Sequence, residues 1–379
     1  MKGVDKIKLI FWRSYNDGMG KILEKLNMHQ DEKRKASLEI TVIPRKTNKN
    51  KIKRKLKIAY SVLYSLLNRK LFFGITEGAN NPLISQLLEK RLIFLNHGWG
   101  TKKSPGNYEL RDPRMINSFR QLKKSVKYII CNSYFDSTYF LNDKLLNDIP
   151  APVFLPLGHP RNDILVEKKN DHIYIKDLKR KYKIPENKRI FLFAPTHREW
   201  HLMGSKYDLQ LIDRYFKEFA QLDKLLGSKN YLLIFKPHYY INFSLFKNAF
   251  KNILVVPQST AVDTQELLLI SDVLITDYSS IFVDYLLLER PVIFYPFDIE
   301  YYEQIRGLVI DYNNPLHTPG PKINSLKDLI DLTEKDFKGY DLKKSRDFFH
   351  NYSDGKSAER IADFLLRLEL VEKGEEKSV

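Results

Sequence analysis

Short apolar runs alternate with longer amphipathic ones along most of this chain. "LEITVI" (38–43), "KLFFGI" (70–75), "RLIFLN" (91–96), "KYIIC" (127–131) and "PVFLPL" (152–157) are apolar at nearly every position, as strands buried on both faces are. Helical candidates such as "SYFDSTYFLNDKLL" (133–146) lie between several of them. The alternation restarts after Pro185, with "RIFLFAP", "YLLIFKP", "NILVVP", "DVLITD" and "PVIFYPF" as strands, and "DLQLIDRYFKEFAQLDKLL" and "DTQELLLI" as helices. Strand and helix in alternation predict a parallel sheet covered on both faces, so two such series predict an α/β chain of two doubly wound domains. Their boundary falls in the polar stretch between Asp163 and Asn187, giving one domain over 1–170 and a second over 171–379, with the helix-like "YIKDLKRKYKI" in the second.

Open parallel sheets bind ligands at the carboxyl ends of their strands. Polar residues stand at those ends here: His97-Gly98 after "RLIFLN", Thr196, His197 and Arg198 after "RIFLFAP", His238 after "YLLIFKP", and Asp277, Ser279 and Ser280 after "DVLIT". The expected site is a cleft faced by both domains. In "TDYSSIF" the chain passes from strand to helix, where free backbone N–H groups and serine hydroxyls suit a phosphate; Asp277 or Ser279 acting as a simple helix cap is the alternative. A lone histidine is more often structural than catalytic, but two at strand ends could divide the work. One would take a proton from an attacking hydroxyl while the other donates to phosphate oxygens.

Arg198 offers a planar fork for a phosphate. "YSDGKSAERIADFL" places Lys356 and Ser357 at another helix start, a second phosphate candidate or a plain cap. His197 and His201 lack carboxylate or cysteine company, so no metal centre is expected. No cofactor is expected either, because the chain has no Walker-type loop and no clear dinucleotide fingerprint. The acidic pair in "FDIEYYE" reads as surface residues.

Composition narrows the partners. With 43% hydrophobic and 13% aromatic residues among 379, the chain can bury two cores, and no apolar run is long enough to cross a bilayer. The start shows no secretory signal and Cys131 is the single cysteine, so the cytoplasm is the expected compartment. A net charge of +17 predicts an anionic partner: nucleic acid, an acidic membrane face or a phosphorylated substrate. The densest basic run, Arg45 to Lys57, precedes a stretch with Ile58, Val62, Leu63, Leu66 and Leu67 at helical spacing. That combination fits docking on anionic lipid, or a solvated charge run ahead of a core helix.

The motif set as a whole resembles the CDP-glycerol glycerophosphotransferase family of teichoic-acid-type primases and polymerases. The resemblance rests on "HG" (97–98), "GHPRND" (158–163), "APTHRE" (194–199), "KPH" (236–238), "SDVLITDYSSIFVDYLLLERPVIFYPFD" (271–298), "RG" (306–307) and "DGKSAER" (354–360), in that order over the last three quarters of the chain. It implies a GT-B fold of two Rossmann-like domains. It also implies transfer of an alditol phosphate from CDP-glycerol or CDP-ribitol to a lipid-linked acceptor, releasing CMP, with no nucleic-acid partner and a place at the inner face of the cell membrane. His97 resembles the general base, and His238, Ser279 and Ser280 resemble donor-diphosphate contacts. Arg198, Thr276, Asp277, Lys356 and Ser357 occupy matching positions.

Two departures stand out: "WGTKKSPG" follows His97-Gly98 where the family often has a small residue and proline or serine, and the first ninety residues resemble the family poorly. A GT-B glycosyltransferase using a nucleotide-sugar is one rival reading. A non-catalytic binder of nucleic acid or anionic polymer is another.

Overall fold

Residues apolar on both faces of a strand need cover on both, and each of the two sheets is built that way. The structure, a computed structural model, describes residues 7–12, 18–29, 38–43, 56, 59–60, 63, 72–77, 89–95, 100–196, 198, 206–237, 246, 248–256 and 262–373. It divides into two units, one of Met1–Trp99, Glu109–Asp163 and His350–Val379, the other of Gly100–Tyr108 and Ile164–Phe349.

Among the described residues the first unit holds six parallel strands, β1 (Ile7–Trp12), β2 (Leu38–Ile43), β3 (Phe72–Thr76), β4 (Leu92–Phe94), β5 (Val126–Ile130) and β6 (Val153–Leu155), in the order β2-β1-β3-β4-β5-β6. Alternate residues serve opposite faces. Leu9, Phe11, Ile93 and Ile130 pack with Met19 and Ile22 of the helix Gly18–Met28 and with Ile361, Phe364 and Leu365 of the helix Ser357–Lys373. Ile10, Leu92, Phe94 and Ile129 pack on the other face with Leu122 of the helix Pro113–Ser125.

Two sequence expectations change here. β1 and the helix after it were not foreseen, because the polar residues Arg13, Asn16 and Asp17 sit between them. "SYFDSTYFLNDKLL" is not an α-helix but two 3₁₀ turns, Tyr134–Thr138 and Lys144–Leu146. Side chains there compete for the backbone: Asp136 accepts from the N–H of Asn132 at 3.1 Å, and Asp143 from that of Leu145 at 2.9 Å.

The second unit holds, among the described residues, five parallel strands, β7 (Arg189–Phe193), β8 (Tyr231–Phe235), β9 (Ile253–Val255), β10 (Val273–Thr276) and β11 (Val292–Phe294), ordered β11-β10-β7-β8-β9. The helix Lys206–Ser228 lays Leu211, Tyr215, Phe219, Leu222 and Leu226 on Phe193, Phe235 and Ile275, one stripe at three- and four-residue spacing. Counted from β7 the order is 5-4-1-2-3, the Rossmann sequence seen from the far edge, and it reverses between β7 and β10.

The units depart from the expected 1–170 and 171–379. The first stretch of the first unit's core ends at Asp163, and residues from His350 onward return to it. The physical reason is the apolar face of the helix Ser357–Lys373, which completes the core over β1, β3 and β5.

Candidate functional site

β7 and β10 lie side by side, Val273 against Phe191 and Ile275 against Phe193, so the chain beyond their carboxyl ends meets at the reversal of strand order. There the Asp277 carboxylate accepts from the backbone N–H of Thr196 at 2.7 Å and from Arg198 at 2.6 Å. Asp298, just beyond β11, takes the other side of the same guanidinium through two bonds of 2.8 Å. The Thr196 carbonyl accepts from Arg198 at 3.1 Å, and the Tyr278 hydroxyl donates to Asp298 at 2.9 Å. The rings of Tyr278, Phe297 and Tyr302 lie 4.9, 5.3 and 5.3 Å from the guanidinium carbon. Arg198 is 0% exposed. Burial alone would disfavour its charge, but the carboxylates of Asp277 and Asp298 outweigh that and hold its pKa well above the ordinary value.

These contacts revise the expected roles. Arg198 is not an open phosphate fork; the N–H groups along its planar edges bridge three strand-end loops through two carboxylates. Asp277 likewise faces Arg198 and Thr196, and the Thr276 hydroxyl donates to the Ala194 carbonyl at 2.8 Å. These three hold the strand ends in register. Ser279 and Ser280 are half-buried beside them, and the Ser279 hydroxyl accepts from the N–H of Ile281 at 3.4 Å, opening a helix of five residues, Ile281–Tyr285. Asp298, read as a surface residue in "FDIEYYE", is instead the second arm on Arg198. The strand-end rule that singled out Asp277 applies equally to Asp298, the residue directly after the "YPF" that closes the β11 run.

His97 and His238 lie outside the described residues. Lys236, two positions before His238, extends β8: its N–H donates to the Phe193 carbonyl at 2.9 Å, and burial lowers the pKa of its ammonium. Among the described residues no group of three or more His, Cys, Asp or Glu side chains is placed to hold a metal ion.

Lys356 and Ser357 belong to the first unit. The helix start they mark already carries an anion: the Asp163 carboxylate accepts from the N–H of Ser357 and of Ala358, each at 2.9 Å. A cap of this kind stabilises by about 1 kcal/mol. Asp163 is the last residue of "GHPRND", so this motif and "DGKSAER" form one capping unit. Lys356 is exposed beside it, and Ser357 is buried.

Past β5, burial pushes the Asp136 carboxyl up to about 7, against the N–H donors of Ser133 and Asn132 and the Tyr139 hydroxyl, which lower it. The folded chain thus keeps a proton that the unfolded chain releases near pH 4. This contribution to stability is therefore complete below about pH 4 and is lost as pH rises through about 7. Urea unfolding at pH 5 and pH 8 is expected to show the wild type losing on the order of a few kcal/mol across that window, and Asp136→Asn losing much less. An equal decline in both proteins would remove Asp136 as its source.

Two Rossmann-like units with these sheets define the GT-B class of fold. The solved structure of the wall teichoic acid polymerase TagF has the same fold, with a TM-score of 0.64 at 22% identity over 99% of this chain and 91% of that one. The chain belongs to the CDP-glycerol:poly(glycerophosphate) glycerophosphotransferase family, whose sequence pattern matches residues 5–367. That match begins at residue 5 and so takes in nearly all of the first ninety residues. The chain is 31% identical over 270 residues to the teichoic acid poly(glycerol phosphate) polymerase of Staphylococcus epidermidis, covering 67% of this chain and 34% of that protein. It is 27% identical over 298 residues to the teichoic acid glycerol-phosphate transferase of Staphylococcus aureus, covering 73% of this chain and 72% of that protein. It thus spans about a third of the first relative's length and nearly three quarters of the second's.

Proposed function

We propose that this chain transfers glycerol phosphate, or a related alditol phosphate, from a CDP-alditol to a hydroxyl of a lipid-linked envelope polymer or its primer. The observation that carries this reading is the gathering of Thr196, Thr276, Asp277, Ser279 and Ser280 at the strand-order reversal of the second sheet, in a chain matching this family over residues 5–367. In the reaction the acceptor oxygen attacks the phosphorus next to the glycerol. A new P–O bond forms, the bond to the bridging oxygen breaks, and CMP leaves with that oxygen.

His97 takes the hydroxyl proton as attack proceeds. His238, Ser279 and Ser280 donate to the diphosphate, stabilising the charge that builds on the leaving CMP. Arg198, Thr276 and Asp277 act through position, by fixing the loops that present the serines. Lys356 and Ser357 belong with the Asp163 cap, where Lys356 adds a solvent-facing cation.

The same reading places the protein in the cytoplasm, peripheral to the anionic inner face of the membrane and without a nucleic-acid partner. Leu56, Tyr60 and Leu63, helical and spaced at i, i+4 and i+7, are 64%, 68% and 57% exposed, and they overlap or follow the basic run 45–57. Such a stripe fits the lipid boundary. No helix among the described residues is long and apolar enough to cross a membrane.

The test is incubation of the purified protein with CDP-glycerol, CDP-ribitol or UDP-sugars and a lipid-linked acceptor, following CMP or UDP release. Acceptor-dependent CMP release from a CDP-alditol is expected. UDP release alone would favour a sugar transferase, and no release with salt-sensitive polymer binding would favour a non-catalytic binder.

A further inference from the structure

The segment after "HG" is not a free loop. Thr101, Lys103, Asn107 and Tyr108 pair through four backbone hydrogen bonds with residues 305–309: Val309 to the Thr101 carbonyl at 3.1 Å, Lys103 to Gly307 at 3.1 Å, Asn107 to Arg306 at 3.0 Å and Tyr108 to Ile305 at 2.9 Å. Lys102 forms an antiparallel bridge with Leu308. The approach is close enough to require glycine on both sides. A Cβ at Gly106 would meet the Arg306 carbonyl oxygen at 2.9 Å, and one at Gly307, held at φ +80°, would meet Lys103 at 2.7 Å.

This strap carries the Lys102 ammonium to the Thr196 hydroxyl, 2.9 Å away, at the carboxyl end of β7. Thr196 is the residue whose N–H and carbonyl join Asp277 and Arg198. That cluster sets one guanidinium against two carboxylates and so supplies no net positive charge. A diphosphate bound at the strand-order reversal therefore needs its cation from elsewhere, and the geometry points to Lys102: a donor-binding residue whose ammonium pairs with the phosphates of the CDP-alditol. This rests on the function proposed above and adds a residue to it.

The experiment is calorimetric titration of the full chain and its Lys102→Met and Lys102→Arg variants with CDP-glycerol and with cytidine, alongside melting curves. Lys102→Met is expected to weaken CDP-glycerol binding about ten- to a hundred-fold, the scale of a hydrogen bond to a charged group, and to leave cytidine binding within about two-fold. Lys102→Arg is expected to recover most of the loss. Lys102→Gln, which keeps a donor for Thr196 without the charge, carries the same test if Lys102→Met does not fold. Unaltered CDP-glycerol binding, or an equal loss for cytidine, would overturn the assignment. A wild-type chain that binds cytidine but not CDP-glycerol would overturn the proposed function itself, and this inference with it.

Discussion

Replacing Arg198 with methionine is expected to destabilise the second unit by about 3–5 kcal/mol, because it strands the buried partners of an ion cluster without their counter-charge. Methionine fills much of the volume but leaves Asp277, 1% exposed, facing Asp298 with no cation between them. With whole domains stable by roughly 5–15 kcal/mol, that is about a fifth or more of the reserve. Equilibrium urea unfolding followed by circular dichroism reads the change directly. Arg198→Lys is expected to recover only part of it, since a point charge cannot bond both carboxylates along a planar edge as the guanidinium does. A midpoint unchanged in Arg198→Met would mean that the strand ends hold their register without this cluster.

The two histidines make the opposite prediction. His97→Ala and His238→Ala are expected to unfold in urea as the wild type does, yet to release CMP from CDP-glycerol far more slowly. Loss of a positioned general base costs about a hundred- to ten-thousand-fold, and loss of a donor to developing charge costs about a hundred- to a thousand-fold. Methionine at 198 removes activity by loosening the scaffold; alanine at 97 or 238 removes it with the scaffold intact. Near-normal turnover in either histidine variant would strip that residue of its chemical role.

The alternation of strand and helix was legible because both faces of each sheet are covered. Ten apolar runs expected as strands coincide with β2 to β11, though "KLFFGI" begins two residues before the observed Phe72–Thr76. β1 escaped for a local reason: "IKLIFW" is followed at once by the charged and polar residues Arg13, Asn16 and Asp17, which break the apolar pattern before its helix begins. The turns at 134–146 escaped because the Asp136 carboxylate accepts from the backbone N–H groups of Asn132 and Ser133, and Asp143 from that of Leu145, contacts that helical spacing alone does not reveal.

At the site, the rule that polar residues follow parallel strands found Thr196, Arg198 and Asp277, but it did not say what they face. A planar cation beside a turn suits a phosphate or a pair of carboxylates equally well. Only the placement of Asp298, about 100 residues further on, decides in favour of the carboxylates. The Asp163 cap was hidden in the same way, since its bonds to Ser357 and Ala358 span 194 and 195 residues.

The return of residues 350–379 to the first unit has a consequence for biosynthesis. As the chain emerges from the ribosome, the strands of the second sheet are all present once Phe294 is out. The first sheet has its last strand much earlier, at Leu155, but lacks Ile361, Phe364 and Leu365 over one face until about two hundred residues later. The half made first is therefore expected to mature last, leaving nascent apolar surface exposed through some two hundred further rounds of peptide-bond formation, a window in which a chaperone has something to hold.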